Sequence, residues 1–282
     1  MAPKSNPPSC GSSHGPSSEE GDQKINQVLA GIRHKILVMS GKGGVGKSSV
    51  SAALALGLAT KGYHIGLLDV DIHGPSLAGM MGVQGLLDLT PDQRVIPKPV
   101  NTHLKVVSMQ SLMQNRDQAV IWRGPAKSGV IRQFVGDVQW GRIDFLVIDA
   151  PPGTGDEPLS VAQTIPEAQA VIVTTPQDVA LADVRKSINF CRTIQLATLG
   201  LVENMGPFAC PCCGKSISLF KSGGGQATAE QMEVPFLGSL PFDPNVVKVF
   251  DAGQPQRLQE SATGFVAAMD RVIEKILKTL PT

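Results

Sequence analysis

The sequence predicts an α/β fold, in which a mostly parallel central sheet is covered by helices on both faces. Short and almost continuously apolar runs alternate along the chain with longer stretches of helical character. Strands without a polar face are typical of parallel sheets that helices cover on both sides. The glycine-rich and acidic clusters follow directly after these runs, which is where ligands bind in parallel sheets.

The predicted strands are residues 35–40, 64–69, 104–109, 143–149, 170–175, 197–202 and 236–240. The predicted helices are residues 48–61, 126–137 and 180–194. A further helix is predicted near the C-terminus from apolar residues at helical spacing, which are Phe265, Met269, Val272, Ile273, Ile276 and Leu280. Its polar face carries acids as well as bases, so we expect it to dock on the sheet rather than to bind a membrane.

Length and composition limit the class of protein. The 282 residues suit one large α/β domain, expected at residues 23–282, after a disordered tail rich in Ser, Pro and Gly at residues 1–22. The net charge of +1 and the aromatic content of 4% give no basis for nucleic-acid binding. No apolar run is long enough to cross a membrane, and the N-terminus lacks a signal-peptide pattern. We therefore expect a cytoplasmic protein with no membrane and no nucleic acid among its partners.

A glycine-rich loop follows the first predicted strand. Residues 41–48 read Gly-Lys-Gly-Gly-Val-Gly-Lys-Ser and match the phosphate-binding pattern G-x-x-x-x-G-K-[ST]. Glycines let backbone N–H groups surround a triphosphate, and the following helix adds its positive dipole end. We expect Lys47 to reach the β- and γ-phosphate oxygens and Ser48 to hold Mg²⁺. The residues expected to bind the nucleotide here are Gly41, Lys42, Gly43, Gly44, Val45, Gly46, Lys47, Ser48 and Ser49.

Acidic residues end two of the predicted strands. Asp69 and Asp71 lie two residues apart in an extended segment, so both should face the γ-phosphate and Mg²⁺, with Asp69 supporting the water shell of the metal. Asp149 ends a buried strand and is expected to hold the metal through a water molecule. Gly153 and Gly155 follow it in a turn that can sense the γ-phosphate. The alternative for a single acid at a strand end is a helix cap.

Two of the five cysteines, Cys210 and Cys213, form a C-x-x-C pair within a metal-binding insertion predicted at residues 205–225. This spacing lets two thiolates ligate one metal ion or one cluster. A structural zinc needs about four ligands, and the sequence has no second pair. Two copies of the chain would supply four cysteines, which suit a [4Fe–4S] cluster or a bridging zinc. A redox dithiol is a further alternative.

Taken together and in this order, the motifs resemble those of the Mrp/ApbC-type iron–sulfur cluster carrier ATPases, within the MinD, ParA and nitrogenase-iron-protein class. The resemblance rests on the loop with two lysines, on residues 69–76, 149–156 and 203–205, on the C-x-x-C pair and on the three glycines at 223–225. It implies a P-loop NTPase of the deviant Walker A type and a homodimer that sandwiches ATP and hydrolyses it slowly. It also implies a labile [4Fe–4S] cluster at the dimer interface, which Cys210 and Cys213 hold and pass to apo iron–sulfur proteins.

The resemblance further implies roles for single residues. Lys42 is the signature lysine that crosses the dimer interface to the partner's nucleotide, and Asp71 orients and deprotonates the attacking water. Asn204 matches an asparagine that contacts adenine, although from the residues alone a turn asparagine is equally expected. Cys212 stands inside the cysteine motif, where relatives often carry another residue. The tail has only Cys10, so no second cluster is expected.

Two other functions fit parts of the pattern. One is a MinD- or ParA-like positioning ATPase, which acts by binding a membrane, DNA or a partner protein. The near-neutral charge and the cysteine pair argue against it. The other is a nucleotide-controlled binding module whose dimer is bridged by zinc, which metal content would distinguish from a cluster carrier.

Overall fold

The computed structural model describes residues 18–71, 74–112, 124–210 and 212–281. Its strands are β1 (Ile32–Ser40), β2 (Ile65–Asp69), β3 (Asp88–Leu89), β4 (Val95–Ile96), β5 (Lys98–Pro99), β6 (Leu104–Ser108), β7 (Ile143–Asp149), β8 (Gln169–Thr174), β9 (Ala197–Gly206), β10 (Phe208–Ala209), β11 (Ser216–Ile217) and β12 (Phe236–Pro241). The main sheet has eight strands in the order β12-β9-β8-β1-β7-β2-β6-β5. Its neighbours run parallel except β5, which pairs antiparallel with β6.

The helices cover both faces of this sheet. They are α1 (Ser18–Ala30), α2 (Lys47–Thr60), α3 (Leu77–Met80), α4 (Gly124–Asp137), α5 (Asp156–Thr164), α6 (Asp178–Thr193), α7 (Gly224–Gln231), α8 (Pro244–Asp251), α9 (Leu258–Ser261) and α10 (Thr263–Thr279), with 3₁₀ turns at Met109–Leu112 and Pro255–Arg257. The predicted fold class, a mostly parallel sheet between helix layers, is confirmed.

Strand β1 shows how the core divides into two layers. Ile36 and Val38 belong to one apolar cluster with residues of α2, α8 and α10. Leu37 and Met39 belong to a second cluster with residues of α1, α4, α5, α6 and α7. All four side chains are fully buried, because successive residues of a strand point to opposite faces of the sheet. This explains why the strand lacks the polar alternation of a half-exposed sheet.

The structure corrects two predicted boundaries. Helix α1 begins at Ser18, so residues 18–22 are helical rather than part of a disordered tail, and residues 1–17 lie outside the described range. Ile25 and Leu29 of α1 are buried against the core, which gives this polar helix one apolar side. Strand β9 extends to Gly206 rather than to residue 202, because β12 pairs alongside it up to its last residue.

The C-terminal helix α10 docks on the protein as predicted. Its buried face packs against β12 and α2 and consists of Phe265, Ala268, Met269, Val272, Ile273 and Ile276. Gly57 of α2 lets the two helices approach, because a Cβ there would collide with Ile273. Within the described residues, no helix combines the length and the apolar character that crossing a membrane requires.

Candidate functional site

The glycine-rich loop connects β1 to the N-terminus of α2, at the carboxyl edge of the sheet. Gly44 and Gly46 adopt left-handed backbone angles, with φ of 81° and 79°. Residues with a Cβ rarely adopt this conformation. A Cβ on Gly46 would also collide with the amide nitrogen of Asn204, and one on Gly41 would lie 2.5 Å from the backbone carbon of Asp183 in α6. The loop therefore depends on glycine for its conformation and for its close packing.

Lys47, the first residue of α2, lies beside an acid from the neighbouring strand. Its Nζ is 2.8 Å from Oδ2 of Asp149, and both side chains are buried. The ammonium nevertheless makes no hydrogen bond of acceptable geometry within the described residues. A buried ammonium group whose N–H donors lack acceptors favours an additional anionic ligand, because leaving buried donors without hydrogen bonds costs free energy.

Asp149 is held by two hydroxyl groups from α2. Ser48 Oγ donates to Oδ2 at 2.6 Å, and Ser51 Oγ donates to Oδ1 at 2.7 Å. The sequence predicts that Ser48 holds Mg²⁺ and that Asp149 holds it through a water molecule; the structure brings the two side chains together, and their roles at a metal stay predictions. Ser51 was not predicted, since it follows the phosphate-binding pattern and reads as an ordinary helix residue.

Asp69, at the end of β2, is fully buried and engaged with its own loop. Its Oδ2 accepts hydrogen bonds from the backbone N–H groups of Ser76 and Leu77, at 3.0 and 3.1 Å, and so caps α3. The hydroxyl of Ser108, on β6, donates to the same oxygen at 2.8 Å, and the N–H of Asp71 donates to the other at 3.2 Å. The helix-cap alternative thus describes the contacts of this residue, and its predicted support of a metal stays a prediction.

The position of Asp69 changes its acidity. Burial raises the pKa of its carboxyl group to about 7, and the negative charge of Asp149 acts in the same direction. Hydrogen bonds from Ser108 and Leu77 and the charge of Lys47 oppose this rise in pKa. Two carboxyl groups and one ammonium therefore share a buried region whose charge changes near neutral pH.

Asp71 is buried and turned toward its own loop, where its Oδ1 accepts a hydrogen bond from the N–H of Gly74 at 3.1 Å. The predicted sensing turn after β7 contacts the same edge of the sheet, since the N–H of Gly153 donates to the carbonyl of Ser40 at 2.8 Å. Gly153 has φ of 94°, and Gly155 is the N-cap of α5. The predicted acids and the glycine turn therefore lie at the carboxyl edge of the sheet, as the phosphate loop does, and Asp149 is the acid that contacts residues of α2 directly after that loop.

Lys42, the second lysine of the loop, differs from Lys47. Its side chain is partly exposed, and no acidic group in the described ranges pairs with it. The Ser40 hydroxyl donates to its backbone carbonyl at 3.0 Å, which fixes the start of the loop. Ser49 lies in the first turn of α2 and is partly exposed. An accessible cation beside a phosphate loop is consistent with the predicted contact to a second nucleotide.

Asn204 lies in β9 and not in a turn, which corrects the turn alternative. Its side chain is buried, and Nδ2 donates to the carbonyl of Val45 at 2.9 Å. The carboxamide therefore supports the phosphate loop directly. Contact with adenine remains a prediction.

Cys210 and residues 212–215 connect the strands of a small hairpin, in which β10 and β11 pair antiparallel. The N–H of Cys210 donates to the carbonyl of Lys215, and the N–H of Gly214 donates to the carbonyl of Cys210, both at 2.8 Å. Gly214 has φ of 69°, the conformation that such a turn requires. Cys212 and Cys213 are exposed and Cys210 is partly exposed, so all three thiols face the surface.

The turn also favours a thiolate at Cys210. The backbone N–H groups of Cys212 and Cys213 lower the pKa of the Cys210 thiol, and the thiols of Cys213 and Cys212 act in the same direction. Thiolates are the form that binds metals. Cys191, in contrast, is fully buried in α6, and burial raises its thiol pKa to about 11. Cys10 lies outside the described residues.

These features define a class of protein. A glycine-rich loop at a helix N-terminus, a buried loop lysine and acids at the ends of adjacent parallel strands are the parts of a P-loop NTPase. Residues 31–277 match the sequence model of a family described as NUBPL iron-transfer P-loop NTPase. The chain belongs to this family, and the resemblance to iron–sulfur cluster carrier ATPases is confirmed.

Individual relatives agree with this assignment. An iron-sulfur cluster carrier protein of Saccharolobus solfataricus is 44% identical over 258 residues, which are 91% of this chain and 87% of that protein. The cytosolic Fe-S cluster assembly factor CFD1 of Saccharomyces cerevisiae is 46% identical over 230 residues, which are 79% of this chain and 78% of that protein.

Solved structures agree on the fold. A nucleotide-binding protein from Archaeoglobus fulgidus, in complex with ADP, superposes with a TM-score of 0.75 at 38% identity and covers 85% of this chain and 94% of that one. The cell division ATPase MinD of Pyrococcus furiosus superposes with a TM-score of 0.63 at 24% identity, covering 88% of this chain and 99% of that one. The second likeness shows the fold alone.

Proposed function

We propose that this protein is an ATP-dependent iron–sulfur cluster carrier, which holds a labile [4Fe–4S] cluster between two copies of the chain and passes it to apo-proteins. The observation that carries the proposal is the turn after β10, which brings Cys210, Cys212 and Cys213 together at the surface. The family and the printed names of the relatives support iron–sulfur transfer.

The number of ligands is the argument for a homodimer. Within the described residues, no group of three or more His, Cys, Asp or Glu side chains is arranged to hold a metal ion. One copy therefore offers the thiolates of Cys210 and Cys213, whereas a [4Fe–4S] cluster takes four cysteines. A second copy related by two-fold symmetry supplies the other two. A cluster shared between subunits at an exposed turn is accessible to a recipient protein.

The buried lysine is the main support for ATP binding at this site. The free N–H donors of Lys47 can bind the β- and γ-phosphate oxygens of ATP. The backbone N–H groups of the loop favour the same negatively charged phosphates. The hydroxyl of Ser48 and the carboxylates of Asp149 and Asp69 are oxygen donors of the kind that Mg²⁺ prefers, directly or through water. Mg²⁺ bound there would neutralise charge on the phosphates.

Three further residues would support ATP hydrolysis and nucleotide binding. Asp71 would orient and deprotonate the attacking water, and Lys42, with its partly exposed side chain, would contact the nucleotide of the second copy. Asn204 would contact adenine with the carboxamide groups that its bond to Val45 leaves available. We assign the protein to the cytoplasm, in line with the name of the yeast relative.

The proposal is tested by anaerobic purification, reconstitution with iron and sulfide, and measurement of absorption, metal content and mass. We expect a broad brown absorption and about four iron atoms per dimer. Cys210→Ala and Cys213→Ala should lose the cluster and keep nucleotide binding. Cys212→Ala is the matched control, because alanine retains the backbone N–H that supports Cys210, and it should load normally.

Three outcomes would contradict the proposal. Stoichiometric iron and sulfide in Cys210→Ala would show that other residues hold the cluster. A colourless protein with about one zinc per dimer would favour the nucleotide-controlled binding module. A metal-free protein that binds ATP would favour the positioning ATPase.

A further inference from the structure

Residues 203–205, near the end of β9, contact the phosphate loop on one side and, on the other, the start of α7, the helix that follows the cysteine hairpin. On the loop side, Asn204 donates to the carbonyl of Val45 at 2.9 Å. A Cβ placed on Gly46 would overlap the amide of Asn204 and would lie 3.7 Å from the terminal methyl carbon of Met205. The loop that is proposed to bind ATP therefore rests on two consecutive side chains of this segment.

Glu203 makes its contacts elsewhere, because successive side chains of a strand point in opposite directions. Its carboxylate is buried and accepts hydrogen bonds from the N–H of Gly225 at 2.7 Å and from the Ser239 hydroxyl at 3.0 Å. Gly225 lies in the first turn of α7, where the helix dipole favours a negative charge. No basic side chain in the described part of the chain pairs with Glu203.

The three glycines at 223–225 fit this arrangement. Gly223 is the N-cap of α7 in a left-handed conformation, with φ of 77°. A Cβ on Gly224 would lie 2.6 Å from Leu181 of α6, and a Cβ on Gly225 would lie 2.9 Å from the side chain of Glu203. Glycine at these positions lets the start of α7 dock on β9 and α6, with Glu203 at the contact.

The cysteine hairpin lies in the segment between the end of β9 and the start of α7. It leaves the sheet after Gly206 and returns at the start of α7, and its strands β10 and β11 pair with each other. Strand β10 begins five residues after Glu203, and α7, whose Gly225 N–H donates to the Glu203 carboxylate, begins seven residues after the end of β11. Met205, just before the hairpin, has φ of 58°, a left-handed angle that a residue with a side chain rarely adopts.

We propose that Glu203 is a positioning residue for the cysteine pair, and that residues 203–205 couple the phosphate loop to the cysteine turn. A nucleotide that shifts the loop at Val45 and Gly46 would move Asn204 and Met205, and Glu203 transmits this shift to the start of α7, so that the chain segments before and after the hairpin both move. The inference rests on the proposed function for its biological meaning, since cluster release would then depend on the nucleotide. Linkage requires that a ligand at the cysteines changes nucleotide affinity by the same factor.

The test uses thiol reactivity and does not need a cluster. The alkylation rates of Cys210, Cys212 and Cys213 are measured on the full-length metal-free protein by peptide mass spectrometry, with and without saturating MgADP. We expect MgADP to change the rate at one or more of these cysteines by about fivefold or more, the lower range of allosteric coupling. Cys191 is the internal reference, because it is buried in the core.

Variants then assign the coupling to Glu203. Glu203→Ala should reduce the effect of MgADP on alkylation to less than about twofold, and Glu203→Gln should restore most of it, because glutamine can still accept from Gly225 and bond to Ser239. Glu230→Ala removes an exposed acid from α7, the helix whose first turn contacts Glu203; it is the control and should behave as the wild type. Ser239→Ala removes one hydroxyl and serves if Glu203→Ala does not fold. It should weaken the response.

The outcomes separate this inference from the proposed function. Unchanged alkylation rates with bound MgADP in the wild type would overturn the coupling and leave the cluster site untouched. A full response in Glu203→Ala or, where that variant does not fold, in Ser239→Ala would likewise overturn the role of Glu203. A normal coupling result in a protein that never loads iron would instead overturn the carrier function and keep the coupling.

Discussion

Asp69 and Asp149 occupy paired positions at the ends of the adjacent parallel strands β2 and β7, and both are fully buried. Lys47 forms an ion pair with Asp149 at 2.8 Å, and Asp69 is held by N–H and hydroxyl donors. The pairing follows from the strand register, which brings two acids to one edge of the sheet. Two buried carboxyl groups therefore lie close to a single lysine, Lys47.

The first prediction concerns pH and the stability of the nucleotide-free protein. The pKa of Asp69 is raised to about 7 in the folded protein, so between about pH 4 and 7 the folded state binds a proton that the unfolded state has lost. The contribution of Asp69 therefore destabilises the fold progressively as the pH rises through this window and is constant above it. The slope is at most about 1.4 kcal/mol per pH unit.

Urea unfolding of the wild type and of Asp69→Asn across this pH range checks the first prediction. The free energy of unfolding of the wild type, relative to that of the variant, should fall from pH 4 to 7 and then level off. A constant difference across the window would show that Asp69 is not protonated in the folded state.

The second prediction concerns Lys47. Lys47→Ala should weaken ATP and ADP binding strongly, because it removes a buried cation from the phosphate site. It should also lower the free energy of unfolding by about 3–5 kcal/mol, since Asp149 is left buried without its ion pair. Titration calorimetry and urea unfolding measure the two effects.

Lys42→Ala is the control for stability, because Lys42 is on the same loop but partly exposed, and this variant should unfold like the wild type. Normal nucleotide affinity in Lys47→Ala would refute the phosphate-loop assignment.

The third prediction separates backbone strain from collision in the loop. Gly46 and Gly62 both have left-handed backbone angles, with φ of 79° and 89°. Alanine at Gly62 meets open space, whereas alanine at Gly46 collides with Asn204. Each change should destabilise the protein by about 1–2 kcal/mol through strain, and Gly46→Ala should in addition reduce ADP affinity. Equal ADP affinity in the two variants would mean that the Asn204 contact does not shape the loop.

The fourth prediction concerns Ser51, which the phosphate-binding pattern does not include. Ser51→Ala leaves one buried oxygen of Asp149 without its hydroxyl donor, so it should lower the free energy of unfolding by about 1–3 kcal/mol. Thr60→Ala, at the exposed end of the same helix, removes a hydroxyl that bonds within the helix and to Gln259. It should change the unfolding energy less. A larger effect at Thr60 than at Ser51 would contradict this account.

Much of the candidate site could be predicted because its parts are local in sequence. The phosphate loop is one continuous segment, and Asp69 and Asp149 end strands that are recognisable from their apolar runs. The cysteine spacing is likewise local. The C-terminal helix was placed correctly, since its apolar spacing matches its buried face.

Other residues could not be predicted because their partners are distant in the chain. Ser51, Ser108 and Glu203 read as ordinary polar residues, and each one contacts a carboxylate or a backbone group from another element. The predicted end of β9 was short because the pairing with β12 extends it. Nothing in the local pattern of residues 203–205 shows that they lie under the phosphate loop.

The fold class, the phosphate loop, the acids at the strand ends and the cysteine pair can be read from the sequence, because each depends on the order of neighbouring residues. The pairing of Asp69 with Asp149 across adjacent strands and the burial of Lys47 with free donors are visible in the folded chain alone. The same holds for the contacts of Asn204 with the phosphate loop and of Glu203 with the start of α7. The register of the sheet and the docking of α7 fix these relationships, and both arise from packing between segments far apart in the chain.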